Sequence, residues 1–171
     1  DLAGAPLNFS KVFSSFDVVG PIGAISAKTS FPYNLMHWTL QIPFRWMGLK
    51  LKGFRQIDQA AASIAKRQGR AYDGDLMRHS LTMALLSTHL DIAQELSLVA
   101  VIGDGFANMS SVLLSVEKNC RIILVNLSKS LLLDIVFLHR ALSDETIALV
   151  QTEKDMLMAI QDSNIRVIAL Q

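Results

Sequence analysis

Four short aliphatic runs constrain this chain more than anything else in it. Residues 98–102 (LVAVI), 121–125 (RIILV), 146–150 (TIALV) and 165–170 (IRVIAL) are apolar at almost every position, and helix-length segments at 109–117, 130–142 and 153–160 lie between them. A strand that is apolar on both faces must be covered on both. Aliphatic strands that alternate with helices therefore form a parallel sheet with helices on its faces. The fold class is α/β, a Rossmann-like open sheet of about four parallel strands. The segment 131–138 (LLLDIVFL) is apolar nearly all round, which marks a helix buried between the sheet and the helices that precede it.

The first part of the chain has a different texture. Residues 1–34 are rich in Gly, Pro, Ser and Phe, punctuated by Gly20-Pro21 and Phe31-Pro32, and read as an extended arm. Trp38, Phe44 and Trp46 bracket Pro43, which suggests two short apolar helices or a helix and a turn. The alanine-rich stretch 57–67 reads as a helix closed by Gly69. Asp73 or Asp75 then caps a helix that runs to about His89. The chain divides on this reading into an arm and helical region, 1–72, and a Rossmann-like cofactor-binding domain, 73–171. The second is expected to be incomplete at its C-terminus, with acceptor-facing residues following the fourth strand.

Composition excludes some functions. With 16 Lys and Arg against 15 Asp and Glu the net charge is +1, and a nucleic-acid partner is not expected. The basic groups Lys50, Lys52, Arg55 and Lys66, Arg67, Arg70 read as solvated helix faces. No uninterrupted apolar run reaches about 18 residues, so no membrane span is expected. The 51% hydrophobic content nevertheless exceeds what one small core needs. The surplus is expected to be covered by further chain or by another copy, as in a homo-oligomer. Cys120 stands alone, which gives no disulfide framework and fits a reducing, cytoplasmic setting, and no secretory leader opens the chain.

The stretch VAVIGDGFANM (99–109) carries the chemistry. A strand runs into Gly103, Asp104, Gly105 and Phe106, and a helix follows at once. Glycines let the backbone turn sharply and approach a ligand with no Cβ in the way. The helix start adds free N–H groups and a positive dipole end, at the carboxyl edge where open α/β sheets bind ligands. The second strand ends in Asn126 and Leu127. An amide there can donate to and accept from a ribose hydroxyl pair. Gln151 and Thr152, after the third strand, are candidates to reach an adenine edge.

The blocks IGDGFANMSSVLL and RIILVNLSKSLLLDIVFLHRAL resemble the sugar O-methyltransferase family within the class I methyltransferases, over about residues 95–171. That family carries an acidic-Ile-Gly-x-Gly-aromatic-Gly turn, then a second strand ending in Asp-Leu-Pro before a Leu-rich helix. Gly103, Gly105, Phe106, Leu127 and the helix over 131–138 match it. Val101 replaces the acidic residue before the turn, Ala107 the third glycine, Asn126 the ribose carboxylate and Ser128 the proline. The resemblance implies S-adenosylmethionine as cofactor and methyl transfer to an oxygen of a sugar or similar small acceptor. Gly103 and Gly105 would lie against the methionine part, Phe106 would close one wall and Asn126 would hold ribose.

Two alternatives stand beside this reading. One is a non-catalytic methyltransferase-like scaffold or oligomer subunit, suggested by the missing carboxylates. The other is an NAD(P)-dependent oxidoreductase, although its fingerprint needs a glycine where Asn108 stands. No catalytic base is identified. Arg78, His79, Tyr72 and Asp73 are candidates to border the site. His37, His79, His89 and His139 lack metal-ligand spacing, and His139 reads as a core histidine.

Overall fold

The computed structural model of the chain describes residues 31–91 and 97–170. The arm over 1–30 lies outside these. Residues 31–34 open a helix instead of continuing an arm. Helices α1 (Phe31–Leu40), α2 (Ile42–Gly48), α3 (Phe54–Arg67) and α4 (Gly74–His89) precede the sheet region. There β1 (Leu98–Ile102), α5 (Asn108–Val116), β2 (Arg121–Val125), α6 (Ser128–Ala141), β3 (Ile147–Val150), α7 (Glu153–Gln161) and β4 (Val167–Leu170) follow in turn. Pro43 falls in the first turn of α2, where a missing N–H leaves no bond unmade. Of the two caps considered for α4 it is Asp73 that serves, accepting from the Leu76 amide at 2.9 Å.

The four strands form one all-parallel sheet in the order β1-β2-β4-β3. The coarse expectation of an α/β fold with a parallel sheet therefore holds. In the doubly wound order 3-2-1-4 the first strand is central, whereas here β1 is an edge of the described sheet. The chain passes from β1 to β2, skips a position to β3, and returns to insert β4.

This path explains where the helices lie. Right-handed crossovers place the connecting helix on one face when the chain advances across the sheet and on the other when it reverses. Two advancing connections put α5 and α6 on the face that carries Val99, Val101, Ile122, Leu124, Ile147 and Val167. The single reversing connection puts α7 on the opposite face, against Ala148, Val150 and Ile168. Among the described residues one helix covers that second face, too little to span it. The expectation of a sheet covered on both sides is thus corrected at β1, whose Ile102 is 77% exposed.

The covered face is the main core. On α3 the buried residues Ile57, Ala61 and Ile64 recur at helical spacing and pack with Leu76, Met77 and Met83 of α4. The core runs without a break from Phe54 on α3 to Ala169 on β4, across the division expected at 72/73. Helix α6 is buried along most of its length, as its apolar sequence implies.

Helices α1 and α2 are joined to this body by few contacts. The Gln41 side chain donates to the Tyr72 carbonyl at 2.7 Å. Arg45 pairs with Asp58, which also accepts from the Tyr72 hydroxyl at 2.8 Å. At the end of α2, Gly48 sits directly on the Phe54 ring. Most of the large apolar side chains of the two helices face outward.

Candidate functional site

The turn after β1 has the backbone its glycines permit. Gly103 and Gly105 adopt φ +68° and +83°, and Ala107 follows in the same left-handed region at +51°. The Gly103 amide donates to the Val125 carbonyl at 2.9 Å, locking the turn to the end of β2. A Cβ placed on Gly103 or Gly105 would meet no atom of the other described residues within 4 Å, so among these the space above the turn is open.

The start of α5 is not open in the same sense. Both oxygens of Asp104 accept from its first-turn amides, Met109 at 2.9 Å and Ser110 at 2.8 Å. The Ala107 amide donates to Asp134 of α6 at 3.2 Å. Two of the free N–H groups expected at this helix start, those of Met109 and Ser110, are therefore taken by the chain's own carboxylate. Burial pushes the Asp134 carboxyl up to about 6. The Asn126 hydrogen bond pulls it down, the nearby Asp104 charge pushes it up further, and the Ala107 amide again opposes.

Asn126 stands where the sequence places it, at the end of β2. Its Oδ1 accepts from the Leu127 amide at 2.8 Å, and its Nδ2 donates to Asp134 at 2.8 Å. Leu127 projects outward and is 81% exposed. Gln151 is exposed at the end of β3. Thr152 caps α7, its hydroxyl accepting from the Asp155 amide at 3.2 Å and donating to the Asp155 carboxylate at 2.7 Å.

Because the strands are parallel, all these residues fall along one carboxyl edge. Gly103–Phe106 and Asn126–Leu127 are neighbours at the ends of β1 and β2. Gln151 and Thr152 lie beyond the end of β4, roughly 10 Å from Asn126 at two strand spacings. The connections after β2 and β3 leave toward opposite faces. Open α/β sheets take ligands at the carboxyl edge where connections diverge in this way.

The Phe106 ring is held in place by its neighbours. Its ring meets Phe137 edge-on, centroids 5.3 Å apart, and the Arg70 guanidinium lies over it at 4.7 Å. Arg70 also donates to Asn108 at 3.1 Å and to Asp73 at 3.0 Å. Lys66 and Arg67 are exposed as expected, but Arg70 is buried, and its inclusion in a solvated face is corrected. Asn108 in turn donates to Asp75 at 2.9 Å. Arg78 donates to the same carboxylate at 2.6 Å, and His79 lies 3.5 Å from it. Burial works to raise the Asp75 carboxyl, but Arg78, Asn108 and His79 together hold it below its usual range.

Sequence reasoning missed Arg70, Asp134 and the capping role of Asp104. The signal for Asp134 was present, since one carboxylate inside LLLDIVFL must find partners when its helix is buried. His139 is half-buried and Cys120 buried. Among the described residues no group of three or more His, Cys, Asp or Glu could hold a metal ion, and no helix is long and apolar enough to cross a membrane.

Together the fold and the edge define a parallel α/β protein whose glycine turn is tied to the following helix by the carboxylates of Asp104 and Asp134. No protein-family model, curated protein or solved structure matches the chain.

Proposed function

We propose that the chain is the cofactor-binding part of an S-adenosylmethionine-dependent methyltransferase with a Rossmann-like class I sheet. Its acceptor is an oxygen of a sugar or similar small polar molecule. The observation that carries this reading is the open turn at Gly103 and Gly105, with the Asp104 carboxylate in the same turn and that of Asp134 bonded to the Ala107 amide that follows. Carboxylates beneath an accessible backbone repel a phosphate and attract a cation. A sulfonium and an α-amino group match that field. A pyrophosphate needs unoccupied helix-start amides, and Asp104 holds two of those of α5, which disfavours the oxidoreductase.

When bound, S-adenosylmethionine supplies an electrophilic methyl group for in-line transfer. The chain's own part is positioning. Gly103 and Gly105 admit the methionine portion close to the backbone. Asp104 and Asp134 set the negative field. Asn126 has one amide hydrogen left to donate to a ribose hydroxyl, and Leu127 offers an apolar surface beside it. Across the end of β4, exposed Gln151 would meet an adenine edge.

A second reading, a non-catalytic methyltransferase-like scaffold, is favoured by one observation. Asn126 and Thr152 are both engaged in local bonds, as they would be in a turn and a cap with no ligand to hold.

Calorimetric titration separates the readings. S-adenosylmethionine and S-adenosylhomocysteine are expected to bind, the charged sulfonium form more tightly, while NADP gives no heat. Heat from NADP alone identifies an oxidoreductase, and no heat from any of the three identifies a scaffold.

A further inference from the structure

Helices α1 and α2 present large apolar side chains that are exposed among the described residues. Within residues 31–49 nine large apolar side chains are exposed, among them Phe31 at 79%, Trp46 at 72% and Trp38 at 54%. Soluble monomers rarely expose so many large apolar side chains along so short a stretch unless they meet something. At 10 and 7 residues the two helices are too short to cross a bilayer.

Charge identifies what they meet. From Phe31 to Ile57 the sequence holds Arg45, Lys50, Lys52 and Arg55 and not one Asp or Glu. The remainder of the chain, with 12 basic residues and 15 acidic ones, is net negative by three. Arg45 is neutralised by Asp58. Lys50, Lys52 and Arg55 are exposed, and the first follows directly on exposed Leu49. Short helices bearing Trp and Phe, flanked by cations and lacking acids, suit the interface of an anionic bilayer, where indole rings sit at headgroup level. A groove of about 800 Å³ continues the apolar surface inward between these helices and α4, lined by Leu40, Phe44, Met47, Leu81 and Leu85. It offers an acyl chain a place to lie.

We propose that α1 and α2 form a one-sided membrane anchor that docks the protein on anionic phospholipid through Trp38, Trp46 and their apolar neighbours. Lys50, Lys52 and Arg55 supply the attraction to the headgroups. The proposal stands independently of the cofactor reading, since it uses none of the residues at the carboxyl edge of the sheet.

The experiment is vesicle co-flotation of the whole chain, with tryptophan emission as a second readout. Trp38 and Trp46 are the only two tryptophans, so the emission reports on this surface alone. Vesicles of phosphatidylcholine and phosphatidylserine are expected to bind the protein and shift its emission to the blue, and phosphatidylcholine alone to bind it weakly. One basic residue at such a surface contributes on the order of fivefold in partitioning, so Lys50→Glu with Arg55→Glu is expected to lower binding at least tenfold. Trp46→Ala is expected to weaken binding with the circular dichroism spectrum unchanged. No flotation with anionic vesicles overturns the proposal. So does a stable dimer, by light scattering, that Trp46→Asp dissociates and whose emission vesicles do not alter. That result makes the surface an interface between two copies.

Discussion

Nδ2 of Asn126 donates to Oδ2 of Asp134 at 2.8 Å, and this one bond joins the turn after β2 to the floor of the glycine turn after β1. The other Asp134 oxygen accepts from Ala107. The carboxylate thus couples the two segments of the edge that a cofactor would touch together.

The coupling has a pH dependence. A carboxyl in the unfolded chain titrates near about 3.9, whereas Asp134 in the fold titrates at about 6. The folded chain holds its proton longer, so the Asp134 contribution favours folding most below about pH 4 and weakens as pH rises to 6. Urea denaturation of Asp134→Asn, which cannot ionise, is expected to show a flatter profile. Its stability relative to the parent should rise by roughly 2 kcal/mol between pH 4 and pH 7. A constant difference across that range contradicts the assignment.

Gly103 and Gly105 separate folding from binding. A methyl group on either meets no neighbour, so the cost of Gly105→Ala is the left-handed backbone alone, about 1–2 kcal/mol. The same methyl group projects into the open space above the turn. Titration of Gly105→Ala with S-adenosylhomocysteine is expected to show affinity reduced about tenfold or more while the protein remains folded. Unchanged affinity would remove the turn from the site.

Arg70 is expected to resist conservative replacement. Its planar group stacks over Phe106 and bonds Asn108 and Asp73 at once, which a lysine ammonium cannot reproduce. Arg70→Lys should cost about 2–4 kcal/mol in urea denaturation, with most of the loss from buried partners left unsatisfied. A loss below about 0.5 kcal/mol, the range of ordinary surface changes, contradicts this role.

Gly48 tests how α2 is held. A Cβ there would lie 2.5 Å from the ring of Phe54, and Phe54 is itself buried in the core. Gly48→Ala is expected to destabilise by about 1–3 kcal/mol through overpacking, read as a lowered urea midpoint. A neutral result would mean that α2 is not seated on the core.

The strands were legible in the sequence because a continuous aliphatic run has few other uses, and α6 because it is apolar all round. Their order was not. The four runs look alike, and which of them pair depends on contacts between distant residues, so the insertion of β4 between β2 and β3 left no local mark. β3 and β4 also begin later than their apolar runs. At β4, Arg166 turns aside to the carbonyls of Glu117 and Cys120. At the site, the glycines and Asn126 were readable from spacing. Asp104 was read as part of a ligand turn, yet a carboxylate just before a helix is equally a cap. Arg70 was hidden by Lys66 and Arg67, because a basic group on a helix face resembles a solvated one until burial separates its members.

Amide hydrogen exchange with and without saturating S-adenosylmethionine tests the central claim most directly. Slowed exchange confined to residues 103–109 and 126–128, with NADP producing none, is the result this account predicts. Unchanged exchange along the carboxyl edge, or protection appearing only with NADP, would contradict it.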